Sequence, residues 1–261
     1  MEFIKVTQDN IDREHICCAI ASEKDLQVMS KKAWLRERFA DGLVFLKGNV
    51  RGKCFIEYIP AEKAWAPVEA DGYLYIDCLW VSGQYKGHGY SNQLLQACVD
   101  DARQMGKKGL VILSSPKKRG FLADEKYLKY KGFLTADMCE PYFELMYLPF
   151  LPEAEVPRFR PHVKEIVPFQ PGVEMPRQTQ ETGFVLYYTA QCPFTAKYVP
   201  ILQETARKQG IPFVIRQITT AEEAQNAPTP FTMFSLFYNG EFVTHEILSE
   251  KKFEKILEGV K

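Results

Sequence analysis

The chain has 261 residues, enough for one large or two modest domains, and its 46% hydrophobic content is that of an ordinary globular protein. Its 33 basic and 33 acidic residues give a formal net charge of zero, which argues against the broad basic surface that nucleic-acid or anionic-membrane binding requires. No apolar run approaches the ~20 residues that span a bilayer. Residues 1–5 lack the layout of a signal peptide, and seven cysteines at 17, 18, 54, 78, 98, 139 and 192 give neither paired zinc spacing nor a disulfide framework. A cytosolic protein with buried, unpaired thiols and no metal is expected.

Residues 25–39 read as a helix, and residues 43–46 with 53–59 as a hairpin turning through Gly48, Asn49, Val50, Arg51 and Gly52. Tyr73–Val81 is apolar on both faces and reads as a central strand. Strict alternation puts Tyr73, Tyr75, Asp77, Leu79 and Val81 on one side and Leu74, Ile76, Cys78 and Trp80 on the other. Leu94, Leu95, Cys98, Val99, Ala102 and Met105 then recur at helical spacing, with Gly106, Lys107 and Lys108 as the stop. A short strand at 110–113, a short helix at 122–131 and a strand pair at 133–137 and 142–148 complete a first unit over residues 1–150.

Seven prolines between 149 and 176 exclude helix or central strand from much of that stretch. Apolar residues such as Phe150, Phe159, Val163 and Phe169 predict an ordered connector over 151–181, docked on both neighbours. Residues 182–261 then show a strand at 184–189, a helix at 194–209, a strand at 212–218 and a polar segment. Strands at 233–238 and 241–246 follow, joined by Asn239-Gly240, with a helix at 250–257.

Between the central strand and its following helix lies Gln84-Tyr85-Lys86-Gly87-His88-Gly89. Glycines at 87 and 89 let backbone approach a ligand, and the free N–H groups of a new helix point at whatever anion lies there. Neither the three-glycine dinucleotide fingerprint nor a P-loop is present. The motif Gln84-x-x-Gly87-x-Gly89 after a strand resembles the acetyl-coenzyme A signature of the GCN5-related N-acetyltransferase (GNAT) family, and Cys78-Leu79-Trp80-Val81 resembles that family's strand beside the pantetheine arm. The resemblance covers residues 1–147.

It implies a GNAT-type mixed α/β sheet with flanking helices, acetyl-CoA as co-substrate, and a small-molecule or peptide amine as acceptor. The implied cofactor residues are Leu79, Trp80, Val81, Gln84, Lys86, Gly87, His88, Gly89, Tyr90 and Ser91. The order of elements after the connector looks like a smaller thioredoxin-like α/β domain, and residues 187–195 are similar to a glutaredoxin active-site turn with Thr195 in place of the resolving cysteine. The pairing of the two domains resembles the YoaP-type bacterial acetyltransferases.

Acetyl transfer from a thioester to an amine needs a neutral amine, polarising donors and an acid for the departing thiolate. The family often places a tyrosine four residues ahead of the Gly-Phe pair, a slot that Leu128 fills here; Tyr127, one residue earlier, is the candidate acid, with the alternatives that it is an ordinary half-buried helix tyrosine and that no tyrosine acid is used. Glu57 and Asp77 are candidates to take the amine proton, each with the alternative of an ordinary salt-bridged carboxylate. Trp65, Tyr73, Tyr75 and Glu69 with them give a composition that would suit a cationic amine, without defining a pocket. Cys192, at a helix start, is a candidate reactive thiol with Thr195 as hydrogen-bond donor, and Pro228 or Pro230 would be the cis-proline opposite it. The rival readings are a thiol-active protein using Cys192 and a CoA-binding module without activity.

Overall fold

A computed structural model describes residues 1–19, 21–170 and 182–260. The first unit runs β1 (Phe3–Val6), α1 (Leu26–Phe39), β2 (Val44–Gly48), β3 (Cys54–Pro60), β4 (Val68–Glu69), β5 (Tyr73–Val81), α2 (Tyr90–Gln104) and β6 (Gly109–Ser115). It closes with β7 (Ala123–Asp124), α3 (Glu125–Tyr130), β8 (Leu134–Cys139) and β9 (Phe143–Pro149). Local chemistry accounts for the helix ends. The Asp25 carboxylate accepts from the Gln27 amide at the start of α1, Asp124 does the same for Tyr127 at the start of α3, and Gly89 enters α2 at φ 75°.

These strands form the mixed sheet that the resemblance implies, in the order β1-β2-β3-β5-β6-β9-β8, with β7 beside β6. Only β5–β6 and β6–β7 are parallel. Two features of β5 position the site. Toward β6 it pairs only from Tyr73 to Ile76, and beyond that point β6 stays with β9 while β5 stays with β3 as far as Val81. A wedge therefore opens between the two central strands. Toward β3, Glu57 pairs with Cys78 but Tyr58 pairs with Ile76, so Asp77 is an extra residue, a bulge.

That bulge corrects the alternation expected for β5. Tyr73, Tyr75, Cys78 and Trp80 share the face that looks away from α2, whereas Leu74, Ile76, Leu79 and Val81 pack with Leu94, Leu95 and Cys98 of α2. One inserted residue swaps the faces of everything after it.

The connector docks on both sides. Its β10 (Arg158–Phe159) pairs with β4, the Cys139 thiol donates to Val163 O at 2.8 Å, and Val167 and Phe169 exchange backbone hydrogen bonds with Phe242. Residues 171–181 of the expected connector lie outside the described residues. The second unit runs β11 (Phe184–Tyr188), α4 (Pro193–Lys208), β12 (Phe213–Gln217), α5 (Ala221–Gln225), β13 (Phe234–Tyr238), β14 (Glu241–Thr244) and α6 (Glu250–Gly259). Its sheet order is β12-β11-β13-β14, with β11 and β12 parallel and the rest antiparallel. Asn239 and Gly240 both have positive φ, as a tight hairpin turn requires.

The two units share one core. A single apolar cluster runs from Phe45, Phe55 and Tyr75 on the far face of the large sheet, through Trp34 and Trp65, to Phe184, Phe234 and Phe242. Each large side chain buried in this way contributes about 1.5–3 kcal/mol. The second unit therefore covers the sheet face opposite α2.

Candidate active site

The wedge between β5 and β6 is a cleft of about 240 Å³ that includes Leu79, Val81, Gly87, Gly89, Ser91 and Tyr127 in its walls. Its ligand-facing groups are largely backbone. Ser82 N–H donates to Lys53 O at 2.9 Å on the β3 side, so strand alternation turns the N–H and C=O groups of Val81 and Leu79 to the edge that β6 has vacated. A linear ligand can bind there as an added strand does.

At the mouth of the cleft, Gly87 and Gly89 have φ of 81° and 75°, and a Cβ on either would meet nothing within 4 Å. The space over both glycines is open to a ligand, and the backbone conformation excludes most side chains. Helix bonding in α2 begins with Asn92 and Gln93, both donating to Gly89 O. The amides of Tyr90 and Ser91 are thereby left at the positive end of the helix, where a pyrophosphate is stabilised. Acetyl-CoA fits this donor set: glycine backbone and helix amides for the diphosphate, a free strand edge for the amide-bearing arm. Lys86 and His88 are exposed, and His88 stacks on Tyr90 with centroids 5.7 Å apart. Gln84 and His88 line a neighbouring hollow with Met1 and Asn49. Trp80 lies along the cleft, but its indole packs on the opposite face under the Lys53 ammonium, 4.0 Å from the ring centroid.

Tyr127 lies on the cleft wall beside Leu128, whose side chain is buried against α2. Its hydroxyl donates to Asn92 Oδ1 at 3.3 Å, and burial raises its pKa although Ser91 acts in the opposite direction. The phenol keeps its proton at neutral pH and has one to give.

The other face holds a buried polar cluster. Lys31 Nζ of α1 donates to both carboxylate oxygens of Glu57, at 2.8 and 2.6 Å, and to Gln191 O of the second unit at 2.8 Å. Burial alone would lower the Lys31 pKa, but the charge and hydrogen bonds of Glu57 reverse the shift and raise it. Glu57 is 1% exposed and committed to this pair, which corrects the expectation of an open proton acceptor there. Asp77 differs. It lies on the same face, where alternation from Tyr73 and Tyr75 already places it, and there burial first, and the Glu57 charge second, push its pKa well above the usual carboxylate range, opposed by the Gln191 side chain and by Lys31. Asp77 and Glu57 therefore sit side by side, next to the opening of the wedge.

Several expected partners lie elsewhere. Glu69 is ion-paired with Arg158 of the connector, Tyr73 donates to Glu155 O at 2.7 Å, and Trp65 stacks edge-on with Trp34 beneath Arg38. Cys192 caps α4 without a side-chain hydrogen bond, and burial raises its pKa to about 11, so the helix terminus does not produce a ready thiolate. The Thr195 hydroxyl donates to Thr189 O and Cys192 O rather than to the thiol. Among the described residues the one cis peptide precedes Pro141, so neither Pro228 nor Pro230 is a cis-proline. Lys31, Gln191 and Asn92 were missed in sequence, because only the folded chain brings them to the site. Among the described residues no group of three or more His, Cys, Asp or Glu could hold a metal ion, and no helix is long and apolar enough to cross a membrane.

Residues 9–121 match the acetyltransferase (GNAT) family and residues 212–255 match the YoaP-like family. The Bacillus subtilis (strain 168) protein named "Uncharacterized N-acetyltransferase YoaP" is 42% identical over 258 residues, covering 98% of each chain. Solved structures similar to this chain include a GNAT family acetyltransferase from Brucella melitensis in complex with acetyl-CoA (18% identity, 58% of this chain and 88% of that one, TM-score 0.36). Another is the ribosomal-protein-alanine N-acetyltransferase from Brucella melitensis (16% identity, 57% and 100%, TM-score 0.42). Identity of this order along nearly the whole of both chains, joined to a cleft whose backbone suits a coenzyme A diphosphate, means that the chain belongs to the GNAT family as an acetyl-CoA-dependent N-acetyltransferase with a C-terminal YoaP-like region.

Proposed function

We propose that the protein transfers the acetyl group of acetyl-CoA to a primary amine of a small molecule or peptide by direct attack, with the acceptor entering from the face that the second unit covers. The observation that carries this reading is the place of Asp77, the residue at which β5 parts from β6, on the face shared with Tyr75 and Glu57 and beside the wedge where the thioester arm fits, with its proton affinity raised by burial. Asp77 takes the proton of the attacking amine, and Tyr127 gives one to the sulfur as the carbon–sulfur bond breaks. The Glu57 charge beside Asp77 adds to its raised affinity, and the Lys31 ammonium paired with Glu57 opposes it. In the same reading residues 1–150 are the catalytic unit, and residues 182–261 are a thioredoxin-like unit that shapes the acceptor site. Its β-α-β-α-β-β-α order and its sheet order support that description. Seven free cysteines suit a reducing, cytoplasmic setting.

The test is an amine panel assayed with acetyl-CoA, followed by Asp77→Asn on the acceptor found. Turnover is expected to fall by about 10²–10⁴-fold with KM for acetyl-CoA unchanged. Near-full turnover in the folded variant would contradict the assignment.

A further inference from the structure

Two lysine ammoniums lie along the seam where the turn ahead of α4 meets the far face of the large sheet, and their surroundings differ. At the inner end, Lys31 Nζ donates to both oxygens of Glu57 and to Gln191 O, so all three of its N–H bonds are taken up within the protein. At the outer end stands Lys53, the residue before β3. Its Nζ lies 4.0 Å from the centroid of the Trp80 ring and 5.5 Å from that of Phe194, and among the described residues it has no carboxylate or carbonyl partner. Ring faces attract an ammonium electrostatically without satisfying its N–H donors as an oxygen would, so those donors stay available. Lys53, Trp80 and Phe194 are each only partly buried, and solvent reaches all three. Trp80 belongs to both sides of the sheet at this point: the coenzyme cleft runs along it, while its indole packs on the face that the second unit covers.

We propose that Lys53, set between Trp80 and Phe194, is a specificity-determining residue that binds a carboxylate on the acceptor, so that the acceptor is a primary amine carrying a carboxylate several bonds away. This rests on the reading of Asp77 as the group that takes the amine proton and of the covered face as the acceptor's side. The far face of β5 then has a charge order along the strand: Asp77 receives a proton at one end, and Lys53 offers a positive charge without a counter-ion at the other. Trp80 follows Asp77 by three residues, roughly 10 Å of strand at about 3.3 Å a residue. That interval matches an amine and a carboxylate at opposite ends of a short chain rather than the shared carbon of an α-amino acid. A carboxylate at Lys53 gains a charge-assisted hydrogen bond, and the two rings give the intervening methylenes an apolar wall. Because Trp80 comes from the acetyltransferase sheet and Phe194 from the second unit, the subsite is complete only when the two units are docked.

The experiment compares ε-aminocaproate with its neutral amide, ε-aminocaproamide, as acceptors for the full chain with acetyl-CoA. The two differ only in the charge that Lys53 would meet. The acid should be favoured by about tenfold in kcat/KM, as one charge-assisted hydrogen bond at a partly exposed site provides, with the preference carried by KM and weakened by added salt. Lys53→Gln should bring the ratio of the two kcat/KM values to about one, Lys53→Arg should keep the preference, and Lys53→Glu should reverse it. The comparison in the unsubstituted chain needs no variant and carries the test if Lys53→Gln does not fold. Equal values there, or turnover of other amines with neither compound accepted, overturn the carboxylate subsite. An undiminished preference in folded Lys53→Gln, with turnover lost in Asp77→Asn, overturns the role of Lys53 alone. Full turnover in Asp77→Asn overturns the charge order together with the proton-acceptor assignment, and turnover of no amine overturns the acetyl-transfer reading as well.

Discussion

On the α2 face of the large sheet the ligand-facing groups are backbone: two glycines at positive φ, the first amides of α2 and the free edge of β5. On the opposite face the polar groups are side chains, drawn from α1, β3, β5 and the second unit and packed until Lys31 and Glu57 are each 1% exposed. A backbone site depends on a few consecutive residues and tolerates change around it. A side-chain site depends on register and on distant packing, so its members can be tuned but not moved. The open face suits a ligand with a constant diphosphate.

Breaking the closed face should cost stability as well as turnover. Lys31→Met leaves Glu57 buried without its partner and should destabilise the protein by about 3–5 kcal/mol in chemical denaturation. A loss below about 1 kcal/mol would show that the pair is not what joins the two units there.

A second tie between the units lies away from the site and sharpens the comparison through pH. Tyr142 Oη is 2.8 Å from His245 Nδ1, and His245 Nε2 is 2.9 Å from Gly120 O. Burial lowers the His245 pKa from 6.5 to about 4, against the opposing effect of Gly120. Because the folded value lies below the unfolded one, stability is undiminished above pH 6.5 and declines as pH falls through about 4, by about 3 kcal/mol in full. His245→Gln should flatten that acid limb in a series of Tm against pH. An identical limb in the variant would place the acid sensitivity elsewhere.

On the open face, Tyr127→Phe should lower turnover by about 10²-fold with acetyl-CoA affinity nearly intact. Near-full turnover under conditions limited by chemistry would remove Tyr127 as the acid.

The difference between the faces also explains what could be read from the sequence. Gly87 and Gly89 between an apolar strand and an amphipathic helix are a local signal, and the hairpin at Asn239-Gly240 is another. The bulge at Asp77 is not local. It exists only in the register of β5 against β3, and it turns Cys78 and Trp80 to the face opposite the one that strict alternation assigns. Lys31 and Gln191 lie 160 positions apart and carry no pattern that joins them. By contrast, α5 carries a local signal inside the polar segment: Thr220 and Glu223 form a reciprocal capping box.

The central claim is that acetyl-CoA is held by the backbone of the loop ahead of α2, and calorimetry of acetyl-CoA binding tests it most directly. Gly87→Glu and Gly89→Glu would each place a charged side chain in the open space over the loop and strain its positive φ. Binding should be abolished in both variants while the fold is retained. Unchanged affinity in the folded variants would contradict the account.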